Sequence, residues 1–371
     1  MNILVNASNI KKGGAIQVTD SIIHELYKYP QHHFVVVYSD ALCDSAHSIV
    51  YDNVELIHYQ LPIKALVLIT GRNKTLDSIV ELKKIQGVIT VFGPSRWRPS
   101  VLHVSGFAIP HLLIPESPFF KMLSLRQRFK LWLTLLENKY SVNRSSNHYY
   151  TENPFITTRL KDLFPSKEVI TITNNANQVF YEQKRWDYSK SLPSFNGSTF
   201  LTIAANYPHK NLSIILPTID YLLATYRNYS FRFVLTIDEK DLGSISEEEK
   251  EHIVFLGSVK IEQCPYLYQQ SDVMVLPTLL ECFSASYAEA MVMRKPIVTS
   301  DLEFAKGLCG DAAVYIDPVS PKSLGDALFE VCSNHEFQEK LINEGQKQIL
   351  KFDPFDKRAE KIIQYITRIA N

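Results

Sequence analysis

Short apolar runs alternate with stretches of helical periodicity along the chain. Asn2–Val5 reads as a buried strand, followed by a loop that holds Gly13 and Gly14. Ile16, Val18, Ile22, Ile23 and Leu26 then recur at helical spacing, and His33–Tyr38 is an apolar run of strand length. Strand, loop, helix and strand in that order make the first brick of a parallel α/β sheet, in which a crossover helix covers one sheet face. Further strands are predicted at Val54–His58, Gly87–Phe92, Val101–Val104, His148–Thr151 and Val169–Thr173.

The pattern stops at Asn174 and restarts at Thr199. The stretch between is polar and irregular and carries Pro193 and Gly197, the composition of a linker. Beyond it, strands are predicted at Thr199–Ala204, Phe231–Ile237, Ile253–Leu256, Asp272–Leu276 and Pro296–Thr299. Helices are predicted at Leu212–Ala224, Pro265–Gln269, Ser286–Met293, Pro321–Ser333, Glu336–Ile349 and Asp356–Ile369. A chain of 371 residues exceeds what one ordinary core fills. The expectation is therefore an α/β protein of two Rossmann-like, doubly wound domains facing a cleft, with ligands outside the carboxyl ends of the strands. The boundaries read as a first domain over 1–176, a linker over 177–198, a second domain over 199–353 and a terminal helix, 354–371, packing back on the first domain.

Composition changes this picture little. Lysine plus arginine equals aspartate plus glutamate at 39 each, so nothing draws the whole chain to nucleic acid and any anion site must be local. Five scattered cysteines without C-x-x-C spacing argue against a disulfide framework or a zinc site and suit a reducing compartment. Met1 leads straight into a strand without the layout of a signal peptide, and no apolar run approaches the roughly 20 residues of a spanning helix. A cytoplasmic protein is expected.

Two segments carry candidate chemistry. In the first, Asp272–Met291, Glu281 and Glu289 stand eight positions apart across a strand-to-helix turn. With the strand ending near Pro277, Glu281 falls in the loop, Glu289 in the helix, and the helix opening offers free N–H groups that suit an anion. Such carboxylates accept hydrogen bonds from sugar hydroxyls; the plainer alternative is one helix cap and one solvated acid. In the second, Ala204–Leu212, Lys210 sits at a turn from which an ammonium reaches a diphosphate and neutralises charge building on a leaving group; the plainer alternative is a surface lysine.

These segments, in this order, resemble the retaining nucleotide-sugar glycosyltransferases of family 4, which have the two-domain GT-B fold. Pro277, Glu281, Phe283, Glu289, Ala290 and Met291 match the family's Pro-Ser-x-x-Glu-Gly-Phe-Gly-Leu-Pro-x-x-Glu-Ala-Met in register. Pro296-Ile-Val-Thr-Ser300, Gly310-Asp-Ala-Ala313 with Asp317-Pro318, Phe255-Leu-Gly257, Lys210-Asn211, Gly13-Gly14 and Asn174–Asn177 fit further family positions. The likeness is strong over about 199–350 and thinner over 1–175.

The resemblance implies an acceptor-side first domain and a donor-nucleotide-binding second domain. It places Glu281 on donor-sugar hydroxyls, Glu289 on ribose hydroxyls and Lys210 on the diphosphate. Backbone N–H groups over Phe283, Ser284, Ala285 and Ser286 would approach phosphate or sugar, with Gly14, Asn206, Gly257 and Val259 as further donor-binding positions. It implies retention of configuration, with no metal or other cofactor beside the nucleotide-sugar donor. Four positions depart from the family: Ala205 replaces an arginine, Cys282 and Ser284 replace glycines, and Ser286 replaces a proline. The family's His-Asp pair aligns with Ser105-Gly106, leaving His103 and His111 nearby but out of register. Those two histidines, with Arg96 and Arg98 of Phe92–Pro99, are the acceptor-side candidates; for the arginines, a cation stacked on Trp97 in a surface loop is the simpler alternative.

The stretch 119–137 mixes bulky apolar residues with Lys121, Arg126, Arg128 and Lys130. It reads as an interfacial helix on an anionic leaflet or as a core helix with a basic solvated face. The resemblance implies a glycan or undecaprenyl-linked glycan acceptor and peripheral contact with the inner membrane, in O-antigen, capsule or other exopolysaccharide synthesis. Two alternatives remain: a sugar-nucleotide epimerase on the same scaffold, against which the paired-glutamate register argues, and a non-catalytic sugar-nucleotide-binding or scaffolding homologue.

Overall fold

The computed structural model describes residues 1–11, 13–43, 49–61 and 70–370; Asn371, the last residue of the expected terminal segment, lies outside them. The chain forms two compact units. The first comprises Met1–Pro115, Leu123–Asn174 and Asp353–Asn371, and the second Glu116–Met122 and Asn175–Phe352.

The first unit is built on seven strands: β1 (Asn2–Ala7), β2 (His33–Tyr38), β3 (Val54–His58), β4 (Gly87–Gly93), β5 (Leu102–Phe107), β6 (His148–Thr151) and β7 (Glu168–Thr171). All pair in parallel in the order β3-β2-β1-β4-β5-β6-β7, so the winding reverses between β1 and β4. Ile3, Leu4 and Val5 are buried on both sheet faces, as a central parallel strand covered by helices must be. One cover is the last helix, Phe355–Ala370, whose Ile362, Ile363 and Ile366 join Ile3, Val5, Phe34 and Val104 in one core. Its Arg358 is paired with Glu152 at 2.6 Å inside that unit, both side chains buried.

The second unit repeats the winding with six strands: β8 (Ser198–Thr202), β9 (Phe231–Leu235), β10 (Ile253–Phe255), β11 (Val273–Leu276), β12 (Ile297–Ser300) and β13 (Ala313–Ile316). The order β10-β9-β8-β11-β12-β13 is again parallel and reverses between β8 and β11. Both units thus have the doubly wound topology expected from the alternating pattern. Strand β13 and the helices Lys74–Leu82, Pro154–Leu163 and Glu303–Cys309 are additions to the sequence reading. β13 has four residues, two of them half-buried. The helix from Pro154 announces itself through its cap: Asn153 accepts from the Phe155 N–H at 3.0 Å, with proline in the first turn.

Candidate functional site

The candidate site of the second unit stands where its winding reverses, at the carboxyl ends of β8 and β11. Thr202 at the end of β8 donates its hydroxyl to the Val275 carbonyl of β11 at 2.8 Å, which sets the two strand ends side by side. From β8 the chain runs out to a single tight turn, Pro208–Lys210, closed by Asn211 in the left-handed conformation at φ 56°. The Asn211 side chain donates to the Pro318 carbonyl at 2.7 Å, so this strained residue is held from behind.

From β11 the chain turns through Pro277 into Thr278, Leu279 and Leu280, all three buried. The Leu279 N–H donates to the His209 carbonyl at 2.7 Å, joining the two loops backbone to backbone. Ser117 donates to the Leu279 carbonyl at 2.6 Å from the other side. Thr278 Oγ1 lies 3.1 Å from the His209 carbonyl and 3.0 Å from Glu281 Oε1. This frame brings Lys210 Nζ to 2.5 Å from Glu281 Oε1, with the two side chains only 12 % and 11 % exposed.

The helix Ala285–Val292 opens beside that pair. Ser284 at its N-cap makes no side-chain capping bond and the first turn holds no acid, leaving the opening amides without an internal counter-charge. Glu289 lies within the helix, buried, and its Oε2 accepts from the Tyr268 hydroxyl at 3.1 Å. Burial pushes its carboxyl up to about 7, against the opposing pull of Tyr268 and Lys210. His209 stacks on Tyr207 with ring centres 5.5 Å apart, and burial lowers its pKa. The site thus holds a cation, two buried carboxylates and a helix opening, a set able to bind an anion beside a group rich in hydroxyls.

The other donor-side candidates spread around this centre. The Ser286 hydroxyl bonds the Ile203 carbonyl at 3.2 Å and so ties the helix to the end of β8. Phe283 packs edge-on against Phe352 at 6.0 Å, and Ala285 is half-buried. Asn206 is exposed and donates to the Asp241 carbonyl at 2.7 Å. Gly257, just past β10, has φ 65°, with its N–H on the Ile237 carbonyl at 3.1 Å; Val259 follows, half-buried. Thr278 and Tyr268 were missed by the sequence reading, since what marks them is their contact with Glu281 and Glu289 rather than any spacing.

Gly14 and the acceptor-side candidates lie in the first unit. Gly14 is exposed at the start of the helix Gly14–Ile23. A cavity of about 200 Å³ at the carboxyl ends of β1 and β4 is lined by Asn9, Lys11, Phe92, Ser95, Arg96 and Asn138, among others. Arg96 is held there by Glu137 at 2.6 Å. Trp97 is fully buried, its indole N–H on Asp77 at 2.9 Å, so it is a core residue rather than a stacking platform. Arg98 is exposed and His111 half-buried in the short helix Pro110–Leu113. His103 needs correcting as an acceptor-side residue. It is buried in β5, with one ring nitrogen 2.8 Å from Thr90 Oγ1 and the other 2.7 Å from the Ser145 carbonyl, so both are engaged within the fold. Burial takes its pKa down to about 4.

Residues 184–348, which include Lys210, Glu281 and Glu289, match the family model described as glycosyl transferases group 1. The O-antigen chain mannosyltransferase RfbU of Salmonella typhimurium is 22 % identical over 203 residues, 53 % of this chain and 52 % of that protein. A phosphatidyl-myo-inositol mannosyltransferase of Mycobacterium leprae is 27 % identical over 149 residues, 39 % of this chain and 40 % of that protein. The chain thus spans about half the length, or less, of these curated relatives. Among solved structures, WaaG, a glycosyltransferase involved in lipopolysaccharide biosynthesis, superposes with a TM-score of 0.67 at 13 % identity, covering 99 % of this chain and 100 % of that one. Residues 184–348 of the second unit are therefore similar to the glycosyl transferases group 1 domain, on a chain with the GT-B fold.

Proposed function

We propose that the protein is a retaining glycosyltransferase of the family 4 type. It moves a hexosyl sugar from a nucleotide sugar to a glycan or undecaprenyl-linked glycan in bacterial surface polysaccharide synthesis. The observation that carries this is the Lys210–Glu281 pair at the β8–β11 reversal, beside the opening of the helix that bears Glu289. Lys210 and Glu281 pair with each other across the two loops. A bound nucleotide sugar would replace that pairing, with the diphosphate on Lys210 and the opening amides, a sugar hydroxyl on Glu281 and ribose hydroxyls on Glu289. As the bond to the anomeric carbon breaks, negative charge grows on the departing diphosphate, and Lys210 would offset it. No further cofactor enters this scheme.

The O-antigen and phosphatidyl-inositol mannosyltransferase relatives favour a mannosyl nucleotide as the first donor to try and a lipid-linked acceptor, with the protein cytoplasmic and peripheral to the inner membrane. Thermal stabilisation by UDP-, GDP- and dTDP-sugars identifies the donor, since a ligand at about 100 times its Kd adds roughly 2.7 kcal/mol. Glu281→Ala is then expected to abolish glycosyl transfer while the circular-dichroism spectrum stays that of the parent. Full transfer by that variant would refute the catalytic assignment, and unchanged output of the polysaccharide pathway would favour a scaffolding homologue. Conversion of a donor to its epimer without transfer would favour the epimerase.

A further inference from the structure

We propose that the outward face of the helix Leu125–Ser145 seats on an anionic lipid surface. This deepens the reading of a lipid-linked acceptor by naming the surface that meets the lipid, and it rests on the helix itself rather than on any transfer step. The helix has 21 residues and begins at a capping box between Ser124 and Gln127, so its start is well defined. Only Ser141, Val142 and Ser145 in it are buried. Leu125, Phe129, Trp132, Leu133, Leu136 and Tyr140 are each between 47 % and 84 % exposed.

At roughly 100° per residue, these six side chains fall within about 60° on either side of Phe129, forming one stripe along the helix. The three buried residues fall on the opposite half, about 120° or more away. The apolar stripe therefore faces away from the core, and the core-helix alternative is excluded. Phe129 and Trp132 stack within the stripe, their rings 5.9 Å apart.

The charges sort along the same wheel. Arg126 and Lys130 border the stripe on one side and Arg128 and Lys139 on the other, at roughly 60° to 100° from its centre. The only acid of the helix, Glu137, is held by Arg96 at 2.6 Å. A second copy of the chain laid against this face would set cations against cations. Anionic headgroups match both flanks at once, while the aromatic and leucine side chains enter the headgroup–acyl boundary. Trp132 and Tyr140 add the amphipathic rings that favour such a boundary.

The test is co-sedimentation of the full chain with vesicles of phosphatidylcholine, alone or mixed with phosphatidylglycerol. Binding is expected only to the anionic vesicles and is expected to weaken as salt rises. The variant Arg126→Gln/Lys130→Gln/Lys139→Gln should lower the partition constant by about fivefold per charge, on the order of 100-fold in all. Phe129→Ser/Trp132→Ser/Leu136→Ser should abolish binding, with circular dichroism unchanged because these side chains are exposed. Lipids brominated in the acyl chain should quench Trp132, and that quenching should vanish in Trp132→Phe. No binding to anionic vesicles, equal binding by both triple variants, or a dimer that dissolves in the apolar variant while vesicles are ignored would each overturn the proposal. Donor stabilisation of the lipid-free protein is measured separately, so failure at the membrane and failure of the transferase reading remain distinct.

Discussion

Glu289 is the residue in which burial and chemistry meet most directly. An ordinary glutamate loses its proton near 4.5, whereas burial holds this one to about 7. Between those values the unfolded chain has released a proton that the folded protein keeps. Stability contributed by this group is complete below about 4.5, falls as pH rises and levels off above 7, a span on the order of 3 kcal/mol. Urea denaturation of Glu289→Gln across that window is expected to lack this component of the slope. Ribose hydroxyls donating to Glu289 would favour its charged form, so nucleotide binding near pH 7 should release a proton. Calorimetry in two buffers of different ionisation enthalpy reads this directly; a heat independent of buffer would count against Glu289 as the ribose acceptor. Thr278 makes a second case. Thr278→Val keeps the shape and removes the hydroxyl that steadies Glu281, while the Leu279 N–H still ties the loops. A hydrogen bond to a charged group contributes about 1.5–3 kcal/mol to stability, so Thr278→Val is expected to lose that amount in urea denaturation, with kcat/KM for transfer lowered as Glu281 loses its support.

At the scale of elements, β5 shows a packing demand that motif alignment does not see. A side-chain carbon on Gly106 would sit 2.1 Å from the Val91 carbonyl oxygen and 2.9 Å from the Tyr150 hydroxyl. Tyr150 crosses over this glycine to donate to that same carbonyl at 2.7 Å. Gly106→Ala is thus expected to destabilise the first unit by about 1–3 kcal/mol, seen as a lower urea midpoint at unchanged slope. The neighbouring His103 answers to the same demand: its place in the strand is decided by bonds to Thr90 and Ser145. The helix Leu125–Ser145 is the converse case, an element with a stripe of six apolar side chains that find no place in its own unit's core.

For the whole molecule, the end of the chain completes the unit that the beginning starts. Arg358, near the start of the last helix, is buried against Glu152 at the end of β6, and its Nε and Nη1 find no hydrogen-bond partner among the described residues. Burial raises the Glu152 carboxyl despite the guanidinium beside it. Arg358→Ala would leave that acid buried and unpaired, a loss of about 3–5 kcal/mol by denaturant titration. Replacing both partners with apolar residues of similar volume is expected to recover much of that loss.

Local order in the chain determined most of the strands and both windings. Buried parallel strands are short runs of apolar residues between turns, and such runs are visible without any knowledge of neighbours. It also determined Glu281, Glu289 and Lys210 as residues to watch, because a loop acid, a helix acid and a turn lysine can be placed once strand ends are known. The tertiary structure alone decided that Lys210 meets Glu281, that Thr278 and Tyr268 steady the two acids, and that His103 serves the sheet. It alone decided which half of Leu125–Ser145 faces outward. Each of these depends on contacts between segments distant in sequence, and periodicity carries no information about which partner a side chain finds across that distance.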